Sequence, residues 1–169
     1  MIRAILDIHA MVGTLIVEAV EDVPESRMTE QPGGIVNHPA WTLSHLNAYA
    51  GFLLSMLEDA GGPTPDAPPH ADAESEMARY GYGTTPVPDP AAYATKRDLL
   101  DRFKDRDARL AAVVAANHAA TFPKPAPPAF QPHCPTIGHL AITLLVAHPP
   151  HHLGQLRQWR RAAGLSGTA

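Results

Sequence analysis

One cysteine, Cys134, occurs in 169 residues. A lone thiol excludes an internal disulfide framework and is compatible with a reducing compartment. Positive charge is also scarce: 13 lysines and arginines stand against 17 acids, a formal charge of -4, so the basic footprint of a nucleic-acid binder is missing. No apolar run approaches the roughly 20 residues of a membrane-spanning helix. No stretch sustains the alternation of β-branched and polar residues that would demand a strand. The opening Met1-Ile2-Arg3-Ala4-Ile5-Leu6-Asp7 carries an early acid and no small-residue cleavage pattern, and so reads as helix rather than signal peptide. These absences lead us to expect a cytoplasmic protein with neither nucleic acid nor membrane as partner. The length suits a single domain over residues 1–169.

Proline, by contrast, is plentiful. Most of the 18 prolines fall in three clusters that punctuate four proline-poor segments. The first segment places Ile2, Ile5, Leu6, His9, Gly13, Ile16, Val17 and Val20 at helical spacing before Pro24. Asn37 is positioned to cap a second helix with the face Trp41, His45, Ala48, Tyr49, Phe52, Leu53 and Met56, which Gly61-Gly62-Pro63 would stop. A connection with seven prolines then runs to Ala94 and carries Tyr80-Gly81-Tyr82-Gly83. It is longer than the ~12 to 15 residues beyond which loops are uncommon, so it either is disordered or covers something.

Thr95 followed by Asp98 has the form of a capping box and opens a third helix. Leu99, Phe103, Leu110, Val113 and Val114 would face inward there, and Lys104, Arg106 and Arg109 mostly outward. After a second proline-rich crossing, Thr136 caps a fourth segment with the row Ala141, Leu144, Leu145, His148, His152, Gln155, Leu156 and Trp159, ended by Gly164. Four amphipathic segments without strands imply an all-α four-helix bundle with long proline-rich connections.

The chemistry-bearing feature is His148-Pro149-Pro150-His151-His152 inside that fourth row. On a helix, His148 and His152 stand four residues apart on one face and can meet one ion. His151, at offset three, also stays near His148, so spacing alone leaves the choice between His151 and His152 open. His45 interrupts the apolar face of the second helix and is the candidate third ligand; three histidines plus an open position is the layout of a catalytic zinc-type centre. Pro149 and Pro150 disturb the picture. Each disfavours the α conformation of its predecessor, so His148 and Pro149 are expected to move toward extended geometry, with a kink or a restart at Pro150.

Other histidines read differently. His9, on the core stripe of the first segment, is more readily a core residue than a fourth ligand or a supporting partner. His38, His133 and His139 fall at helix starts or in loops, where surface placement is the default. Gln155, one turn past His152, is placed to orient a ligand.

The whole chain resembles the DinB-like superfamily of helical bundles. The resemblance is carried by His38-Pro39-Ala40-Trp41-Thr42-Leu43-Ser44-His45-Leu46, by Pro88-Asp89-Pro90, by Pro135-Thr136-Ile137-Gly138-His139-Leu140, and most specifically by His148-x-x-x-His152-x-Gly154-Gln155. It implies a metal held by His45, His148 and His152, selecting His152 over His151, with zinc or nickel the usual ion. It departs from the family pattern at Pro149 and Pro150, where relatives carry ordinary helix formers. It further implies either metal-dependent hydrolysis of a small molecule or transfer using a low-molecular-weight thiol, in a homodimer. The alternative is a non-catalytic metal- or ligand-binding dimeric bundle. No general base stands out, because Glu18, Glu58 and Asp59 fall at helix ends away from the expected site.

Overall fold

A computed structural model describes residues 1–60 and 72–165. Among them the chain is all-helical, without β-strands. The helices are α1 (Ile2–Glu21), α2 (Pro39–Asp59), α3 (Ala73–Tyr80), α4 (Lys96–Thr121), α5 (Ile137–Ile142) and α6 (His148–Ala162). A π-helical turn, Thr143–Ala147, joins α5 to α6, so the two form one interrupted rod. The bundle packs α2 against α4, α3 and α6, and α1 against α4 and α6. The expected glycine-proline stop after α2 lies outside the described residues.

The caps follow side-chain chemistry. Thr95 accepts from the Asp98 N–H at the start of α4, and Thr136 accepts from the His139 N–H at the start of α5, as the sequence suggests. At α2 the expectation fails. His38, not Asn37, is the cap: its Nδ1 accepts from the Trp41 N–H while its Nε2 donates to the Val87 carbonyl at 3.0 Å. His38 is fully buried against Tyr93, so the default surface placement is also corrected. Burial holds its pKa below the usual imidazole range.

Helix α2 is buried on nearly every side from Pro39 to Ala48, which is how a helix this apolar earns a central place. Leu43, Leu53, Leu54 and Leu57 have no exposed surface, each stabilising the fold by about 1.5–3 kcal/mol. The core divides in two. One cluster joins Val12, Ile16 and Val20 of α1 with Leu43, Phe103, Leu156 and Trp159; the other joins Leu53 and Leu57 with Leu110, Val113, Leu140 and Leu145. Along α1, α4 and α6 the polar residues His9, Arg106, Asp107, His148 and His152 fall between these clusters, and on α2 His45 and Asn47 lie at the inner end of the first. The bundle therefore carries a titratable layer sandwiched between two apolar ones.

The arginines of α4 depart from the outward expectation. Arg106 is buried, donating to the Asn47 carbonyl at 2.7 Å and to Glu76 of α3 at 2.5 Å, and Arg109 pairs with Glu58 of α2 at 2.5 Å. The guanidinium of Arg106 reaches inward over Gly51, whose missing side chain leaves it room. Helix α3 itself is the largest unexpected element. It packs its start on the bundle through Ala73 and is tied down by Glu76, which also meets Arg102 at 2.8 Å. The long connection thus covers part of α2.

Candidate metal centre

His45, His148 and His152 each offer a ring nitrogen within 4.8 Å of the others. The Nε2 atoms of His45 and His148 are 2.9 Å apart, and those of His152 and His148 are 3.0 Å apart. The ring planes are tilted or perpendicular to one another, so edges rather than faces converge.

The backbone that delivers them is regular on one side and irregular on the other. On α2, Trp41 stacks on His45 with centroids 4.6 Å apart, and Tyr49 lies against both His45 and His148. On the other rod the prolines act, but not as expected: His148 keeps helical φ/ψ of -69° and -49°, and α6 restarts at His148 itself. Pro149 and Pro150 then occupy the first turn of α6, where a missing N–H matters least. The disturbance is pushed upstream into the π turn, where the His148 N–H bonds the Thr143 carbonyl. A continuous α geometry from His148 onward leaves His148 and His152 on one face, as four-residue spacing requires.

Hydrogen bonds to Nδ1 leave Nε2 free on two of the rings, His45 and His152. His45 Nδ1 lies 2.6 Å from the Tyr80 carbonyl, which can only accept, so the proton sits on Nδ1 and the Nε2 lone pair points at the cluster. The end of α3, outside sequence-based expectation, is therefore what orients this histidine. His152 Nδ1 lies 2.8 Å from Gln155 Oε1, and Asn37 Nδ2 donates to that same oxygen at 3.1 Å. Gln155 Nε2 in turn donates to His151 Nε2 at 2.9 Å. His152 thus also presents a bare Nε2. Gln155 acts as the orienting amide anticipated from its position, and His151 stands exposed at the rim rather than in the cluster.

Burial pushes His148 down to about 4, helped by the neighbouring His45 and His151 charges, and His152 down to about 3, helped by His148 and His45. His45 is lowered too, again chiefly by burial. All three are neutral at pH 7. Burial also raises the Tyr49 hydroxyl above its usual range.

These facts test whether a cation fits. Two bare lone pairs face His148 Nε2, and one proton there can satisfy only one of them. Three neutral imidazole nitrogens around one point are a soft-to-borderline donor set, and ligands at zinc-type distances of about 2.0–2.1 Å would sit about 3.3 Å apart in tetrahedral geometry. The residues fit a divalent metal. The indole N–H of Trp41, stacked on His45, is buried without a partner among the described residues.

His9 is not part of this group. Its Nδ1 lies 3.2 Å from the Leu145 carbonyl and its Nε2 2.7 Å from Asp107 Oδ1. Cys134 is buried, with its sulfur 3.8 Å from the Thr143 hydroxyl. Among the described residues no helix is long and apolar enough to cross a membrane.

The family model of the DinB superfamily matches residues 11–156 of the chain. No curated protein and no solved structure matches it.

Proposed function

The chain belongs to the DinB superfamily, and from that membership and the convergent lone pairs we propose that His45, His148 and His152 hold one divalent ion, zinc or nickel, as the centre of an enzyme acting on a small molecule. The observation that carries the reading is the pair of acceptors, the Tyr80 carbonyl and Gln155 Oε1, against the Nδ1 atoms of His45 and His152, which leaves their Nε2 lone pairs aimed at a third imidazole nitrogen. A metal on three neutral ligands keeps its full charge and supplies Lewis-acid chemistry, lowering the pKa of a water or thiol brought to it.

The chain's own residues do the rest. Tyr80 and Gln155 hold the two outer rings in the metal-binding tautomer, and Trp41 and Tyr49 wall the cluster with aromatic surface. With neutral ligands already in place at pH 7, binding needs no net release of a proton, only that His148 carry its proton on Nδ1 so that Nε2 is bare. Two reactions suit such a site: hydrolysis of a small substrate, and transfer from a low-molecular-weight thiol. No carboxylate contacts the triad among the described residues, which favours thiol transfer, where the nucleophile arrives with its own acidic proton. The same lack supports the second reading, a bundle that binds metal without catalysis. A homodimer is part of the proposal and rests on the family resemblance alone.

Elemental analysis of untagged protein tests the reading. Near-stoichiometric zinc or nickel in the wild type, lost in His45→Ala and His152→Ala, supports it. A wild type that takes up no metal after reconstitution removes it.

A further inference from the structure

Pro149 and Pro150 leave one backbone group without a helical partner. The Leu145 carbonyl would accept from residue 149 in an α turn and from residue 150 in a π turn, and both positions are proline. Its donor comes from another helix: His9 Nδ1 of α1 approaches that oxygen to 3.2 Å. Leu145 is fully buried, as His9 nearly is, and an unmet buried carbonyl is costly.

A second contact reaches His9 from α4: its Nε2 lies 2.7 Å from Asp107 Oδ1, without the alignment of a hydrogen bond. Asp107 can approach α1 because residue 13 is glycine: a Cβ there would stand 2.9 Å from Asp107 Oδ2. Gly13, Asp107, His9 and the Leu145 carbonyl thus lie in one run of close contacts that ends three residues before His148.

We infer that His9 is a positioning residue for the metal centre, supplying the hydrogen bond that the two prolines remove and thereby locking the π turn that aims His148 at His45 and His152. The inference rests on the metal-centre reading for its functional consequence, though not for the hydrogen bond itself. It makes His9 and the prolines interdependent: His9 is needed because Pro149 and Pro150 are there.

The test is a double-mutant cycle read by two measurements, the dissociation constant for cobalt(II) or zinc by competition with a chromophoric chelator, and the thermal midpoint of the metal-free protein. His9→Asn places an amide N–H where Nδ1 stands, and His9→Gln places one where Nε2 stands. His9→Gln and His9→Leu are expected to weaken metal binding ~10 to 100-fold, the usual cost of losing a supporting partner, with an altered cobalt absorption spectrum, while His9→Asn stays near wild type. Combining His9→Leu with Pro149→Ala, which restores a backbone donor to Leu145, should recover most of the loss in both measurements. Equal effects of His9→Asn and His9→Gln, or a His9→Leu penalty that Pro149→Ala leaves unchanged, overturn the inference. If the wild type binds neither metal, the metal-centre reading falls, and the thermal cycle alone decides whether His9 anchors the turn.

Discussion

The two helices that meet at the histidine cluster reach it by opposite means. Helix α2 arrives as an unbroken, almost wholly buried rod, and His45 is set by regular geometry, with the Tyr80 carbonyl orienting its ring from outside the cluster. The α5–α6 rod arrives interrupted, with five π-helical residues and two prolines immediately around His148. On the first side packing fixes the ligand and on the second a set of polar contacts does. The regular side should tolerate local change; the irregular side should transmit it, because an interrupted helix has alternative registers that only those contacts exclude.

The largest effect expected removes the comparison altogether. His152→Ala and His45→Ala should each abolish metal binding, measured as metal content per chain, since a two-histidine remnant lacks the donors of a zinc-type site. A variant that retains full metal would mean the ion sits elsewhere.

A smaller but diagnostic effect probes what holds the Tyr80 carbonyl against His45 on the regular side. Glu76→Gln breaks the pair with Arg106, two side chains about nine-tenths buried. Removing one member of a buried pair costs 3–5 kcal/mol at full burial; with water reaching Glu76 and Arg102 sharing it, about 2 kcal/mol is expected. The thermal midpoint should fall by about 4–8 °C. Loosening α3 also frees the Tyr80 carbonyl, so metal affinity should drop even though no ligand is touched.

Acid should act mostly through the irregular side. His148 and His152 are neutral in the folded chain down to about 4 and about 3, whereas in the unfolded chain they take up protons below about 6.5. The unfolded state thus binds more protons in this window. Stability is present above pH 6.5 and lost as pH falls from there toward 3. The thermal midpoint of metal-free wild type should decline below pH 6.5, and that of His152→Ala less steeply; parallel declines would show that these rings carry none of the dependence.

The smallest expected effect lies far from both sides. Thr95→Ala removes the α4 cap and should cost about 1 kcal/mol with metal affinity unchanged, setting the level of an ordinary structural loss.

How much of this was legible in the sequence follows the same division. The stripe of α1, the faces of α2 and α4, and the Thr95 and Thr136 caps are readable because local spacing and short-range side-chain bonds decide them. The triad was readable from the residues only up to the choice between His151 and His152; the family resemblance made that choice, and the structure brings His152 to the cluster and leaves His151 at the rim. Helix α3 was missed because AESEMARY is short and polar and is held by Glu76 reaching Arg102 and Arg106, some 26 and 30 residues away, rather than by an apolar face. Arg106 looks outward in the sequence for the matching reason: its partners, Asn47 and Glu76, are distant along the chain. His38 lost its surface assignment because the Val87 carbonyl and the Trp41 N–H satisfy both ring nitrogens and so permit burial. The prolines were rightly seen as a disturbance, but their effect was placed at His148; the chain moves it into the preceding turn, where His9 from another helix can answer it.

The central claim, one divalent ion on His45, His148 and His152, is most directly tested by X-ray absorption at the zinc edge of the reconstituted protein. The account predicts a first shell of nitrogen or oxygen near about 2.0 Å with outer-shell scattering from three imidazoles and no sulfur. A sulfur contribution, or fewer than three imidazoles, would contradict it.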